Sequence, residues 1–139
     1  MTSAASPRSP LTSAFKLTPT DEEMLEACAR YQYLTVDHWV RFFEDAGRRR
    51  YLQRRSQALV DHGYLIRLYL TPLGGRGKGR FIFTHGSKGR GYAAALGIRM
   101  PKRFRPIDVK TLAPRHLAHS EDLTDVLLSC DLLARRDAR

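Results

Sequence analysis

Two helix starts stand close together near the beginning of the chain. In "LTPTDEEMLEACARYQYL", Thr18 is placed to cap a helix, Pro19 takes its first position, and Asp21, Glu22 and Glu23 lie at the positive end of its dipole. Met24, Leu25, Cys28 and Ala29 then recur at helical spacing. In "YLTVDHWVRFF", Thr35 repeats the cap at short range, with Val36, Trp39, Val40 and Phe43 on one face and an end expected near "EDAG", where Gly47 breaks the run. A third run begins at Arg48 or just before, carries Leu52, Ser56, Leu59 and Val60 on one side, and stops at His62 and Gly63. Three helices in close succession with short connections make a helix-turn-helix pattern.

Beyond Gly63 the period changes. "YLIRLYL" alternates with strand formers, "TPLGGRGKG" is a Pro/Gly loop, and "RFIFTH" reads as the returning strand. A hairpin directly behind a helix-turn-helix is a wing. Ser87 is placed to cap a fourth helix that ends at Gly97. A last amphipathic helix carries Leu117, Leu123, Val126, Leu127, Cys130 and Leu133, with Ser120 as its cap. The predicted fold is α+β, mostly α: a winged helix-turn-helix with a β-hairpin wing and an additional C-terminal helix. The expected division is a disordered basic lead over 1–16, the winged domain over 17–97, a basic proline-containing linker over 98–114 and the terminal helix over 115–139. No internal repeat is found.

The charge is unevenly placed. The net charge is +10, yet between Ala46 and Ile107 fifteen Lys or Arg face one acid, Asp61, while the rest of the chain is net acidic. Such an asymmetry points to a surface that meets phosphates, on nucleic acid or on an anionic membrane. No stretch approaches the length of a transmembrane helix, and "MTSAASPRSPLTSAFK" lacks the apolar core of a signal peptide. The two cysteines, Cys28 and Cys130, each fall inside a helical pattern, as expected of buried thiols in a reducing compartment. A cytoplasmic location is expected.

The third helix carries five arginines within the eight residues Arg48 to Arg55. With Leu52, Ser56 and Leu59 turned to the core, Arg50, Gln53, Arg54 and Gln57 share the opposite face. Arg binds guanine and Gln binds adenine through paired hydrogen bonds, so these four are the expected base-reading residues. Arg48 and Arg49 at the helix start, and Arg76, Lys78 and Arg80 around the glycine-rich tip, are expected on the DNA backbone. A solvated basic face is the alternative, but the acids that would form i,i+4 pairs along such a face are missing.

Other features point to less. "GGRGKGR" lies between two strands rather than between a strand and a helix, which disfavours a nucleotide-binding loop. His116, His119, Glu121, Asp122 and Asp125 lack the spacing and the Cys pair of a zinc site, so no metal and no cofactor is expected. Tyr31, Tyr33, Trp39, Phe42 and Phe43 read as core packing rather than a stacking platform. No nucleophile elbow, carboxylate pair or Cys/His arrangement argues for an enzyme.

The order "LTPTDEEMLEACARYQYLTVDHWVRFF", "GRRRYLQRRSQALVDHGYLIRL", a Gly-rich wing, "FIFTHGSKGRGYAAALG" and "RHLAHSEDLTDVLL" resembles the replication-relaxation family of plasmid and mobile-element proteins. The likeness runs from Leu17 to Leu133. It implies a winged-helix protein with an Arg-rich third helix. Members continue into a further domain with acidic motifs suggestive of a nuclease-like core, whereas this chain stops at Arg139, so the resemblance implies the DNA-binding half only.

The expected function is binding of double-stranded DNA, as a regulator of transcription or replication on a plasmid, phage or other mobile element. The alternatives are an accessory protein- or RNA-binding subunit of a larger nucleoprotein complex and a fragment of an enzyme. The stripe of Leu123, Leu127, Cys130 and Leu133 leads to one of two outcomes, a homodimer through the terminal helix or packing against the first helix of the same chain.

Overall fold

The computed structural model describes residues 15–72, 77–98 and 114–138. Most of the lead, the 99–113 part of the linker, and residues 73–76 with Arg76 lie outside the described residues. The architecture is a mostly helical α+β arrangement. Its elements are α1 (Pro19–Tyr31), α2 (Val36–Phe43), a 3₁₀ turn (Ala46–Arg48), α3 (Arg49–Asp61), β1 (Leu65–Leu70), β2 (Arg80–His85), α4 (Ser87–Ala95) and α5 (Pro114–Asp137).

Both threonine caps form as their sequence requires. Thr18 Oγ1 accepts the Asp21 N–H at 3.1 Å while Asp21 Oδ2 accepts the Thr18 N–H at 2.9 Å, a reciprocal capping box. Thr35 and His38 build a second box in which His38 Nδ1 accepts the Thr35 N–H at 2.9 Å. Helix α2 ends at the expected "EDAG" stretch, but Glu44 rather than Gly47 breaks it. The helix stops at Phe43 because Glu44 takes a left-handed conformation at φ 54°, and Gly47 lies later, inside the 3₁₀ turn. Asp45 Oδ1 accepts the Gly47 N–H there at 3.1 Å. At the end of α3 the glycine signal holds, since Gly63 adopts φ 82°.

The caps expected for the last two helices do not form. Gly86, not Ser87, occupies the cap position of α4. The reason is steric: a Cβ at Gly86 would come within 2.5 Å of the Gly63 carbonyl oxygen, and one at Gly89 within 2.1 Å of the Tyr64 carbonyl. The start of α4 lies backbone to backbone on the turn after α3. Ser120 lies inside α5 rather than ahead of it, and its hydroxyl donates back to the His116 carbonyl at 2.9 Å.

Met24, Leu25 and Cys28 of α1, Trp39 and Val40 of α2, Leu52 and Leu59 of α3, and Leu128 of α5 form one buried cluster. Trp39 is fully buried and its indole N–H donates to the Met24 carbonyl at 3.3 Å. Phe15, ahead of the boundary expected at residue 17, packs against this cluster and stacks on His62 with 3.9 Å between ring centroids. A second cluster lies where Leu117 of α5 meets Ile66, Leu68, Leu70 and Ile82 of the hairpin.

The strands pair antiparallel with Leu68 opposite Ile82 and Tyr69 opposite Phe81. Leu34, between α1 and α2, adds a one-residue bridge to Phe83, with N···O distances of 2.7 and 3.0 Å. That bridge ties the hairpin to the helices.

His85 supplies a pH test of this core. It is buried, its Nδ1 lies 3.8 Å from Cys28 Sγ, and its Nε2 has no hydrogen-bond partner among the described residues. Burial lowers its pKa from the ordinary 6.5 to about 4. Between those values the unfolded chain takes up a proton that the folded chain refuses. Stability is therefore highest above pH 6.5 and lost as pH falls towards 4. Urea unfolding near neutral pH and near pH 4.5 is expected to differ by roughly 2–3 kcal/mol from this group. The difference shrinks in His85→Leu; an unchanged difference would assign it to other groups.

Candidate nucleic-acid interface

Helix α3 places its residues as its period dictates. Leu52, Ser56 and Leu59 are buried, and Ser56 is satisfied by donating to the Gln53 carbonyl at 2.8 Å. Arg50, Gln53 and Arg54 are exposed on the opposite side. Gln57 shares that side but is half-buried and held at both ends of its amide. Its nitrogen donates to Asp61 Oδ1 at 2.8 Å and its oxygen accepts from Arg67.

The five arginines of α3 and its start separate by partner. Arg55 donates from Nε to Asp21 Oδ1 at 2.9 Å and from Nη2 to Oδ2 at 2.5 Å, a two-pronged contact on a fully buried carboxylate. Arg48 donates to Thr20 Oγ1 at 2.8 Å and lies against the rings of Phe43 and Tyr51, 5.1 and 5.3 Å from their centroids. Arg49 pairs with Asp37 at the start of α2. The side chains of Arg50 and Arg54, one turn apart, have no intramolecular partner among the described residues, and neither does the side chain of Gln53 between them. The first three fasten α3 in place, and the other two are left to solvent.

The hairpin has two different faces. Ile66, Leu68, Leu70 and Ile82 turn towards Leu117 of α5. The other face is buried at Leu65, Phe83 and His85 near the helices, then opens to solvent at Arg67, Tyr69 and Phe81. Tyr69 and Phe81 meet edge to face at 5.6 Å, and the Arg67 guanidinium lies 4.3 Å from the Phe81 ring centroid. Between this face and α3 runs a cleft of about 380 Å³. Val36, Phe81 and Phe83 supply apolar lining, Arg49, Gln53, Gln57 and Arg67 supply polar groups, and Asp37 is the single acid among the described residues that line it.

Of the residues expected on the DNA backbone, Lys78 is exposed and without an intramolecular partner among the described residues. Arg80 also lines the cleft, but its guanidinium is bound to Glu121 of α5, with Nε donating at 2.6 Å. Arg76 lies outside the described residues. Sequence reasoning missed Arg67, Tyr69 and Phe81. The alternation in "YLIRLYL" marks Arg67 and Tyr69 as outward, which is the signal that identifies them.

Helix α5 is fastened from the other side. Thr124 Oγ1 donates to the Tyr33 carbonyl at 2.6 Å, His38 Nε2 lies 2.6 Å from Asp125 Oδ1, and Arg135 donates to the Phe42 carbonyl at 2.7 Å. Asp131 accepts from Arg30 at 2.6 and 2.8 Å and from the Tyr31 hydroxyl, which lowers its pKa to about 2. These partners belong to α1, α2 and the turn between them.

No described helix is long and apolar enough to cross a membrane. Comparison with family models, curated proteins and solved structures finds no match to this chain.

Proposed function

We propose that this chain is a cytoplasmic winged-helix protein that binds double-stranded DNA, with α3 in the major groove and the β1–β2 hairpin as the wing beside it. One observation carries the reading: within a helix whose other arginines are fastened to the fold, Arg50 and Arg54 stand exposed on one face with Gln53 between them and no partner among the described residues. Leaving two cations unpaired one turn apart, while the neighbouring acids Asp37 and Asp61 are taken up by Arg49 and Gln57, is what a surface for a polyanion requires. Their side chains are also the types that read base edges. The Leu34–Phe83 bridge supports the winged-helix part, because it holds the hairpin beside α3 rather than leaving it on a flexible stalk.

Resemblance to the replication-relaxation family, carried by the motifs from Leu17 to Leu133, suggests a regulator of transcription or replication on a mobile element. A second reading, binding of RNA or single strands, is favoured by the exposed Tyr69 and Phe81 rings beside Arg67, because an aromatic pair next to a cation is how unpaired bases are stacked. Fluorescence anisotropy with a labelled duplex pool, the matching single strand and an RNA hairpin separates the two. Tighter binding of the duplex at equal salt, with one motif enriched from the random pool, is the expected result. Preference for RNA or the single strand would overturn it.

A further inference from the structure

Helix α5 has two apolar faces, and the described residues cover one of them. Leu117, Thr124 and Leu128 are buried against the domain. On the opposite side Leu123, Val126, Leu127 and Leu133 are between 49% and 60% exposed, with Cys130 exposed among them. The expected stripe therefore does not pack against α1, and Cys130 is not a buried thiol. We propose that this outer face is the interface of an antiparallel homodimer, α5 against α5 of a second copy.

The order of residues along the face selects both occupant and direction. His119, Leu123, Val126, Cys130, Leu133 and Asp137 are spaced alternately four and three residues apart, the period of a coiled-coil seam. When two such helices run antiparallel about a twofold axis level with Leu128, Leu123 of one meets Leu133 of the other, Val126 meets Cys130, and His119 meets Asp137. On one flank Asp122 meets Arg136, and on the other Leu127 meets its own copy. Apolar residues thus meet apolar ones and acids meet bases, as a self-complementary twofold interface requires. A parallel pair in register sets Asp137 against Asp137 and His119 against His119, and turns Asp122 towards Leu127. Asp122 and Arg136 are both exposed, and neither enters an ion pair among the described residues. The hydrogen bonds and ion pairs that fasten α5 to α1, α2 and the hairpin use its inner face and flanks, so the seam is open to a partner. The inference rests on α5 alone and stands or falls independently of DNA binding.

Sedimentation equilibrium of the full chain at micromolar concentrations is expected to give twice the monomer mass. Leu127→Glu, at an exposed position, is expected to leave the circular dichroism spectrum unchanged and give a monomer. Asp122→Arg and Arg136→Asp each place like charges across the flank at two symmetric points and are expected to weaken the dimer roughly tenfold. The two changes together restore the pairing and recover most of the affinity, which separates antiparallel pairing from any other association. Oxidation with diamide is expected to link two copies of Val126→Cys through Cys130 of the other copy, and to leave the native chain unlinked, because antiparallel pairing offsets the two Cys130 thiols by about a helical turn along the axis. A monomer at every concentration, a charge-swapped double variant weaker than either single one, or native chains linked through Cys130 alone would each overturn the proposal.

Discussion

Replacing Arg55 by alanine is expected to destabilise the domain by about 3–5 kcal/mol, because it strands a carboxylate that has no access to water. Asp21 is fully buried, and its two oxygens already serve the Thr18 N–H and the two prongs of Arg55. Without the guanidinium, the charge must remain unpaired, take up a proton or drag α1 away from α3 to reach water. A loss of that size is a large share of the ~5–15 kcal/mol that holds a domain together. It corresponds to a fall in Tm of about 10–20 °C. Adding Asp21→Asn to Arg55→Ala removes the stranded charge while keeping an oxygen for the Thr18 N–H, so the double variant is expected to recover part of the loss. Thermal unfolding followed by circular dichroism checks both. A fall in Tm no larger than that of an exposed control such as Arg54→Ala, expected within about 0.5 kcal/mol of the parent, would mean that the pair contributes nothing.

The second large effect belongs to the exposed face of α3. Removing both Arg50 and Arg54 is expected to cost about 2–6 kcal/mol on the preferred duplex, taking about 1–3 kcal/mol for each base-reading contact. Gln53→Ala belongs with them and is expected to lose about 1–3 kcal/mol on that duplex and little on random DNA. Lys78→Ala at the hairpin tip is expected to weaken all duplexes alike and to flatten the slope of log K against log salt by about 0.9, the signature of one lost phosphate contact. Arg49 and Arg80 are held by Asp37 and Glu121, so each must exchange an acid for a phosphate in order to bind. Their contribution is expected to be smaller than that of Lys78.

The parts of this structure that are legible in the sequence are those decided within a few residues. Thr18 and Thr35 cap their helices because the cap and its N–H partner lie three residues apart, and Gly63 stops α3 because few other residues adopt its conformation. The buried side of α3 follows from a single period, so Leu52, Ser56 and Leu59 are found where the spacing puts them. The stop of α2 is legible as the stretch "EDAG", but the residue that makes it is not, because Glu44, a residue with no turn signal, takes the left-handed conformation for which Gly47 is the better-suited residue. Pairings across long separations are invisible: Arg55 with Asp21, and Arg80 with Glu121, join residues whose partners no local pattern announces. Helix α5 misleads for a different reason. It carries apolar residues on two sides, so a single stripe that joins Leu117 to Leu123 and Leu127 mixes the face that packs with the face that does not. Only the contacts of Thr124 and Leu128 separate them.

The central claim is that the unpaired arginine face of α3 reads DNA. It is tested most directly by binding isotherms of the native chain and of Arg50→Ala/Arg54→Ala, each on the selected duplex and on a scrambled duplex at the same salt. The prediction is that the double variant, with its melting curve unchanged, loses most of the preference for the selected duplex while keeping a weak, salt-dependent affinity for both. If the double variant binds both duplexes as the native chain does, the arginine face is a solvated surface and the claim is contradicted.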